Sequence, residues 1–135
     1  MPKLFGLNIV AVLVASVAFF AVGYLWYGLI FTEMWMAEMN LTEDDAGSPL
    51  WMIGGFVITI MQVVGIGLAM KWKGAAGLND AVTTAIVLWI VFALPFSAYG
   101  YLYTPAHSAT LLMIDAAHLL VGWVVGAVIL SLMKA

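Results

Sequence analysis

The sequence predicts an all-α fold: an integral membrane four-helix bundle with both termini cytoplasmic. Three observations carry this expectation. Hydrophobic residues fill 66% of the 135 positions and charged residues only 8%, against about 45–50% and about 25% in a soluble domain. The mean hydropathy is +1.14. The apolar residues also fall into four runs, each long enough to cross about 30 Å of hydrocarbon at about 1.5 Å per residue. The whole of 1–135 reads as one transmembrane domain.

The first run covers about 4–30. Lys3, the apolar stretch behind it and Ser16-Val17-Ala18 imitate a cleavable signal. The apolar run continues through Phe19 and Phe20 to Phe31, however, so an uncleaved helix is expected. A connection at 32–49 follows, in which Thr42 and Asp45 read as a helix start or turn. The second run, about 50–70, opens on Ser48-Pro49, a capping residue followed by a proline whose missing N–H costs nothing in the first turn. Gly74 and Gly77 lie just past its end, where helices favour glycine. The third run, about 81–103, has Asn79 or Asp80 as its expected cap and a kink expected at Pro95. Ser108 is the expected cap of the fourth run, about 109–133.

Charge placement gives the expected threading. The basic residues are Lys3, Lys71, Lys73 and Lys134, at the N-terminus, between the second and third runs, and at the C-terminus. With four spans these places share one face, which the positive-inside rule assigns to the cytoplasm. The 32–49 loop carries Glu33, Glu38, Glu43, Asp44 and Asp45 with no base, on the outer side. A net charge of −3 without a basic run argues against nucleic acid as a partner. The absence of cysteine removes disulfides, thiolate nucleophiles and iron–sulfur ligation. Two histidines cannot build a three-histidine metal site within one chain.

An ionisable residue inside a span is costly and marks a candidate site. Asp115 is the one acid so placed, about 10 Å below the outer end of the fourth run; His118 follows on the same face about 15 Å deep. Gly122 and Gly126 continue this face, and glycines favour close packing against another helix. On the second run Gly55, Thr59, Gln62, Ile66 and Ala69 form a stripe, with Gln62 near the level of His118. Tyr99 of the third run is expected to reach the level of Asp115, as are Trp26 and Tyr27 of the first. Two readings compete. In one, Asp115 and His118 make hydrogen bonds that fix helix register, worth ~1–2 kcal/mol or less. In the other they form a protonatable site, with the histidine relaying a proton.

Gly23-Tyr24-Leu25-Trp26-Tyr27, then Phe31, Trp35-Met36 and Met39-Asn40-Leu41-Thr42-Glu43-Asp44 form a distinctive series, preceded by Asn8 at the start of the first helix. Over about 8–45 this resembles the opening of the family catalogued as domain of unknown function 1761. Elsewhere the likeness is mainly one of hydropathy. The resemblance implies four spans and a prokaryotic cell membrane, and it implies no reaction. Gly28 and Leu29 stand where that pattern has serine and proline, so the first helix is expected to end less abruptly.

In physical terms, Trp26, Tyr27, Phe31, Trp35 and Met39 read as an interfacial anchor, because rings with one polar end prefer the membrane boundary. The competing reading is a lid over the outer mouth of the bundle. Met34, Met36 and Met39 admit copper through their thioethers, though methionine is commoner as a gap-filler. Haem ligation by His107 and His118 is awkward, since they sit at different depths, although a dimer supplies two copies of His118. No cofactor is expected, and Asn40-Leu41-Thr42 matches a glycosylation acceptor by chance.

The resulting expectation is a small polytopic membrane protein with a structural or accessory role beside a membrane partner or a second copy of itself. The alternative is a homo-oligomeric proton-coupled carrier or channel built on Asp115. An enzyme has least support, as no nucleophile with a base, metal cage or phosphate loop is present.

Overall fold

The computed structural model describes residues 3–39, 49–103 and 108–134, with the side chains of 38 and 39 left aside. Four helices in it are long and apolar enough to cross a membrane: Ile9–Ile30, Pro49–Lys73, Gly77–Tyr103 and Ala109–Leu132. They are the first to fourth spans below. A short helix, Thr32–Met39, follows the first span.

The first span starts later than its apolar run. Asn8 caps it, its Oδ1 accepting from the N–H of Val10 at 2.9 Å and of Ala11 at 3.4 Å. Ahead of the cap, Lys3–Leu4 pairs antiparallel with Leu7–Asn8. Phe5 and Gly6 turn the chain with φ of 52° and 82°, the backbone of a two-residue hairpin turn that matches strand twist. The hairpin drives Leu7 into the core, 1% exposed. Leu7 lies so close to Gly67 of the second span that a Cβ there would stand 2.7 Å from it. At its far end the first span loosens into a π-helix, Tyr24–Ile30, rather than stopping sharply.

The second span ends as its glycine suggests. Gly74 has φ +72°, and the N–H groups of Gly74 and Ala75 bond to the carbonyls of Lys71 and Met70. This paired pattern closes a helix around a left-handed residue. The third span begins four residues before the expected 81, and neither Asn79 nor Asp80 occupies its cap position. Ala76 does, without a side-chain bond. Asp80 instead reaches back from inside the first turn, its Oδ2 accepting from the Ala76 N–H at 3.0 Å. The interruption expected at Pro95 takes the form of a π-helical stretch, Trp89–Ala93, just ahead of it. Proline lacks an N–H, and the widened turn lies one turn before it. Ser108 caps the fourth span, accepting from the Leu111 N–H at 3.1 Å. Ser48, Thr42, Asp45 and Asn40 lie outside the described residues.

The fourth span packs against the first and third, and the first against the second. Small residues let them approach: Ala11, Ala15, Ala81, Ala85 and Ala127 are fully buried, and without a hydrophobic drive in lipid, close backbone contact is what binds such helices. Phe19 fills the centre, its ring lying directly on Gly122. Large apolar residues such as Val17, Ile58 and Phe96 are exposed on the outer faces, as suits helices whose solvent is lipid.

Candidate functional site at the loop end

Several polar residues of the spans gather at the end opposite the lysines, where the fourth span is tied at three successive positions. The Trp26 indole donates to the carbonyl of Ile114 at 3.0 Å. The Tyr27 hydroxyl donates to Asp115 Oδ1 at 2.5 Å. From the third span, Trp89 Nε1 donates to the carbonyl of Ala116 at 2.8 Å. A fourth tie lies deeper, where Trp123 Nε1 donates to Gln62 Oε1 at 2.8 Å. An indole N–H only donates, and in hydrocarbon it must find an acceptor. The tryptophans therefore cross-brace the bundle.

Trp26 and Tyr27 turn inward onto the fourth span, Phe31 packs on Trp26 at 5.3 Å, and Trp35 packs on Tyr27 at 5.0 Å. Tyr24, 61% exposed, remains outside, and the Met39 side chain is outside the described residues.

The rings continue as a series. His118 meets Tyr27 edge-on at 4.9 Å, Tyr27 meets Trp35, and Trp35 meets Trp51 at 6.1 Å. Together with Phe20, Met36, Met52, Gly55, Thr59 and Gln62 they wall a cavity of about 470 Å³. That volume and its mostly apolar, aromatic lining are those of a small-molecule pocket. The short helix contributes Thr32, Trp35 and Met36 to one side of it. The Phe19 ring supports His118 from below at 5.6 Å. Among the described residues, two buried side-chain atoms lack a hydrogen-bond partner, Thr32 Oγ1 and His118 Nε2. Both residues line this cavity. Buried polar atoms are normally paired, so two orphans around one cavity call for an explanation.

Of the expected site, His118 and Gln62 face the same cavity, and Asp115 is linked to it through Tyr27. Tyr99 is elsewhere. It is 61% exposed, stacking on Tyr103 and meeting Phe96 edge-on at the outer surface of the third span. Gly55 borders the cavity, with Phe20 3.5 Å from where a Cβ would stand. Gly122 is filled by Phe19, whereas Gly126 has only Val63 at 3.8 Å. Met34 lines a separate recess from Met36, and His107 lies outside the described residues. Among the described residues no three His, Asp or Glu side chains come together as a metal-sized group.

Sequence reasoning missed Trp89, Trp123 and Gly23. The signal for the indoles was available, because each is a donor set within an apolar run. A Cβ at Gly23 would stand 3.2 Å from His118 Nε2, so this glycine lets the imidazole press against the first span. Nothing in the spacing reveals that.

Comparison with curated proteins and with solved structures gave no match. The model of the family described as "Protein of unknown function (DUF1761)" matches residues 10–131, nearly the full length of the four spans, and the chain belongs to that family.

Proposed function

We propose that this small membrane protein is a non-enzymatic binding or accessory protein, and that the cavity at its loop end receives a small, largely apolar molecule with one polar head. The observation carrying this reading is the pair of partnerless atoms, Thr32 Oγ1 and His118 Nε2, on residues that line one aromatic cavity. A guest with a hydroxyl or carbonyl head would supply what they lack once the threonine rotor or the imidazole turns toward it, and its apolar body would lie among Phe20, Trp35, Trp51 and Met52. The short helix then acts as the side wall of a binding site. Asp115 serves here as a brace, held by Tyr27, which favours this reading over a proton-coupled carrier.

The same proposal places the lysine end in the cytoplasm of a prokaryotic cell, by the positive-inside rule. It also lets the exposed apolar faces meet a second copy or a larger membrane partner.

Native mass spectrometry of gently extracted protein tests the reading. Wild type should retain a small molecule, and Gly55→Leu, which fills the cavity, should lose it while keeping its helical circular dichroism. Bare wild-type protein, or equal retention in both, overturns the proposal. The same spectra report copy number and any larger partner.

A further inference from the structure

A second cavity, of about 490 Å³, lies at the opposite end of the bundle. Lys3, Lys71 and Lys134 all line it, which brings together three of the chain's four basic residues. They come from three places far apart in sequence: the hairpin before the first span and the ends of the second and fourth. No acid is among the described lining residues. Three like charges around one cavity repel each other unless an anion lies between them. Lys71 makes one bond, to the Gly6 carbonyl at 3.2 Å, and an ammonium has three donors. Lys73, the remaining base, points elsewhere, to Thr84 Oγ1 at 3.3 Å.

The inner wall of this cavity is apolar, with Leu7, Met70 and Leu130 against the core. The lysines stand at or just beyond the ends of the apolar spans, where a bilayer would place its headgroups. Phe5, 71% exposed at the hairpin tip beside them, suits the same interface. From this juxtaposition we infer that the lysine cavity holds the phosphate of one anionic phospholipid, with the acyl chains running down the bundle. Basic pockets between spans are a recurring headgroup site. A zwitterionic lipid brings its own ammonium among the lysines and is disfavoured, while free phosphate gains nothing from the apolar wall.

The test is native mass spectrometry of the full chain in detergent, titrated separately with phosphatidylglycerol, phosphatidylethanolamine and inorganic phosphate. One equivalent of phosphatidylglycerol should bind in preference to the other two. Lys3→Gln and Lys134→Gln should each weaken it about fivefold, and the double variant about 25-fold. Lys73→Gln, outside the cavity, should leave binding unchanged. Unchanged helical circular dichroism in the glutamine variants separates lost binding from lost fold. Equal affinity for phosphatidylglycerol and phosphatidylethanolamine overturns the inference, as does an equal loss in Lys73→Gln. Inorganic phosphate binding as tightly as phosphatidylglycerol overturns the assignment to lipid.

Discussion

Substituting Gly122 by alanine should destabilise the bundle, whereas the same change at Gly126 should not. A Cβ at 122 would stand 2.3, 2.5 and 2.9 Å from Phe19 Cε1, Cδ1 and Cζ. Carbon contacts settle near 3.5–4.0 Å, so the ring must retreat by roughly 1 Å. It has little room, being 2% exposed and leaning on His118. Overpacking of this kind costs about 1–3 kcal/mol, and the helical preference of alanine over glycine returns up to about 1 kcal/mol. At Gly126 the nearest atom is an ordinary 3.8 Å away, so the propensity gain stands alone. The two variants should differ by ~1–3 kcal/mol in detergent-driven unfolding followed by circular dichroism. Phe19→Leu should partly rescue Gly122→Ala, because it removes the colliding ring. Equal stability of the two glycine variants would refute the close approach of the first and fourth spans through Phe19.

Further expectations follow from the ties at the loop end and the cap at the other. A double-mutant cycle of Tyr27→Phe and Asp115→Ala should give a coupling of at least about 0.6 kcal/mol, the average for interhelical polar pairs in membranes, and at most about 1.7 kcal/mol; additive effects in the same unfolding assay would contradict the brace. Trp89→Phe, which loses its bond to Ala116, should cost a similar amount, while Trp72→Phe, 79% exposed, should cost almost nothing. Asn8→Ala should lower stability by about 1 kcal/mol through loss of the helix cap and speed amide exchange at Val10 and Ala11, which proton-exchange measurements would register.

Hydropathy alone made the four spans legible, because lipid demands long apolar runs and little else in the chain resembles them. Capping chemistry supplied Ser108 and the Gly74 stop. The inward faces were harder to read. In a soluble helix, polarity separates inside from outside, but here Val17 faces lipid and Val12 faces the core with the same side chain. Only glycines and the scattered polar residues carried that information. They pointed to Gly122, Gln62 and His118, and they misplaced Tyr99, since the π-helical stretch at Trp89–Ala93 alters the facing of everything beyond it in the third span. The hairpin at 3–8 was hidden inside an apolar run, although Phe5-Gly6 and Asn8 each had a local reason for their geometry. Trp26 reads as a boundary ring because its apolar body suits an interface; what the spacing does not reveal is that its N–H finds an acceptor on the fourth span, the Ile114 carbonyl.

The cavity between Trp35, Trp51 and His118 is proposed to bind an amphipathic guest. The most direct test is nuclear magnetic resonance of the indole N–H groups and histidine rings during titration with an alkylphenol, a probe with an apolar tail and one hydroxyl. The resonances of Trp35, Trp51 and His118 should shift saturably, while Trp72 and Trp89 stay in place. Shifts spread evenly over all the tryptophans, or none at His118, would mean that no guest binds in this cavity.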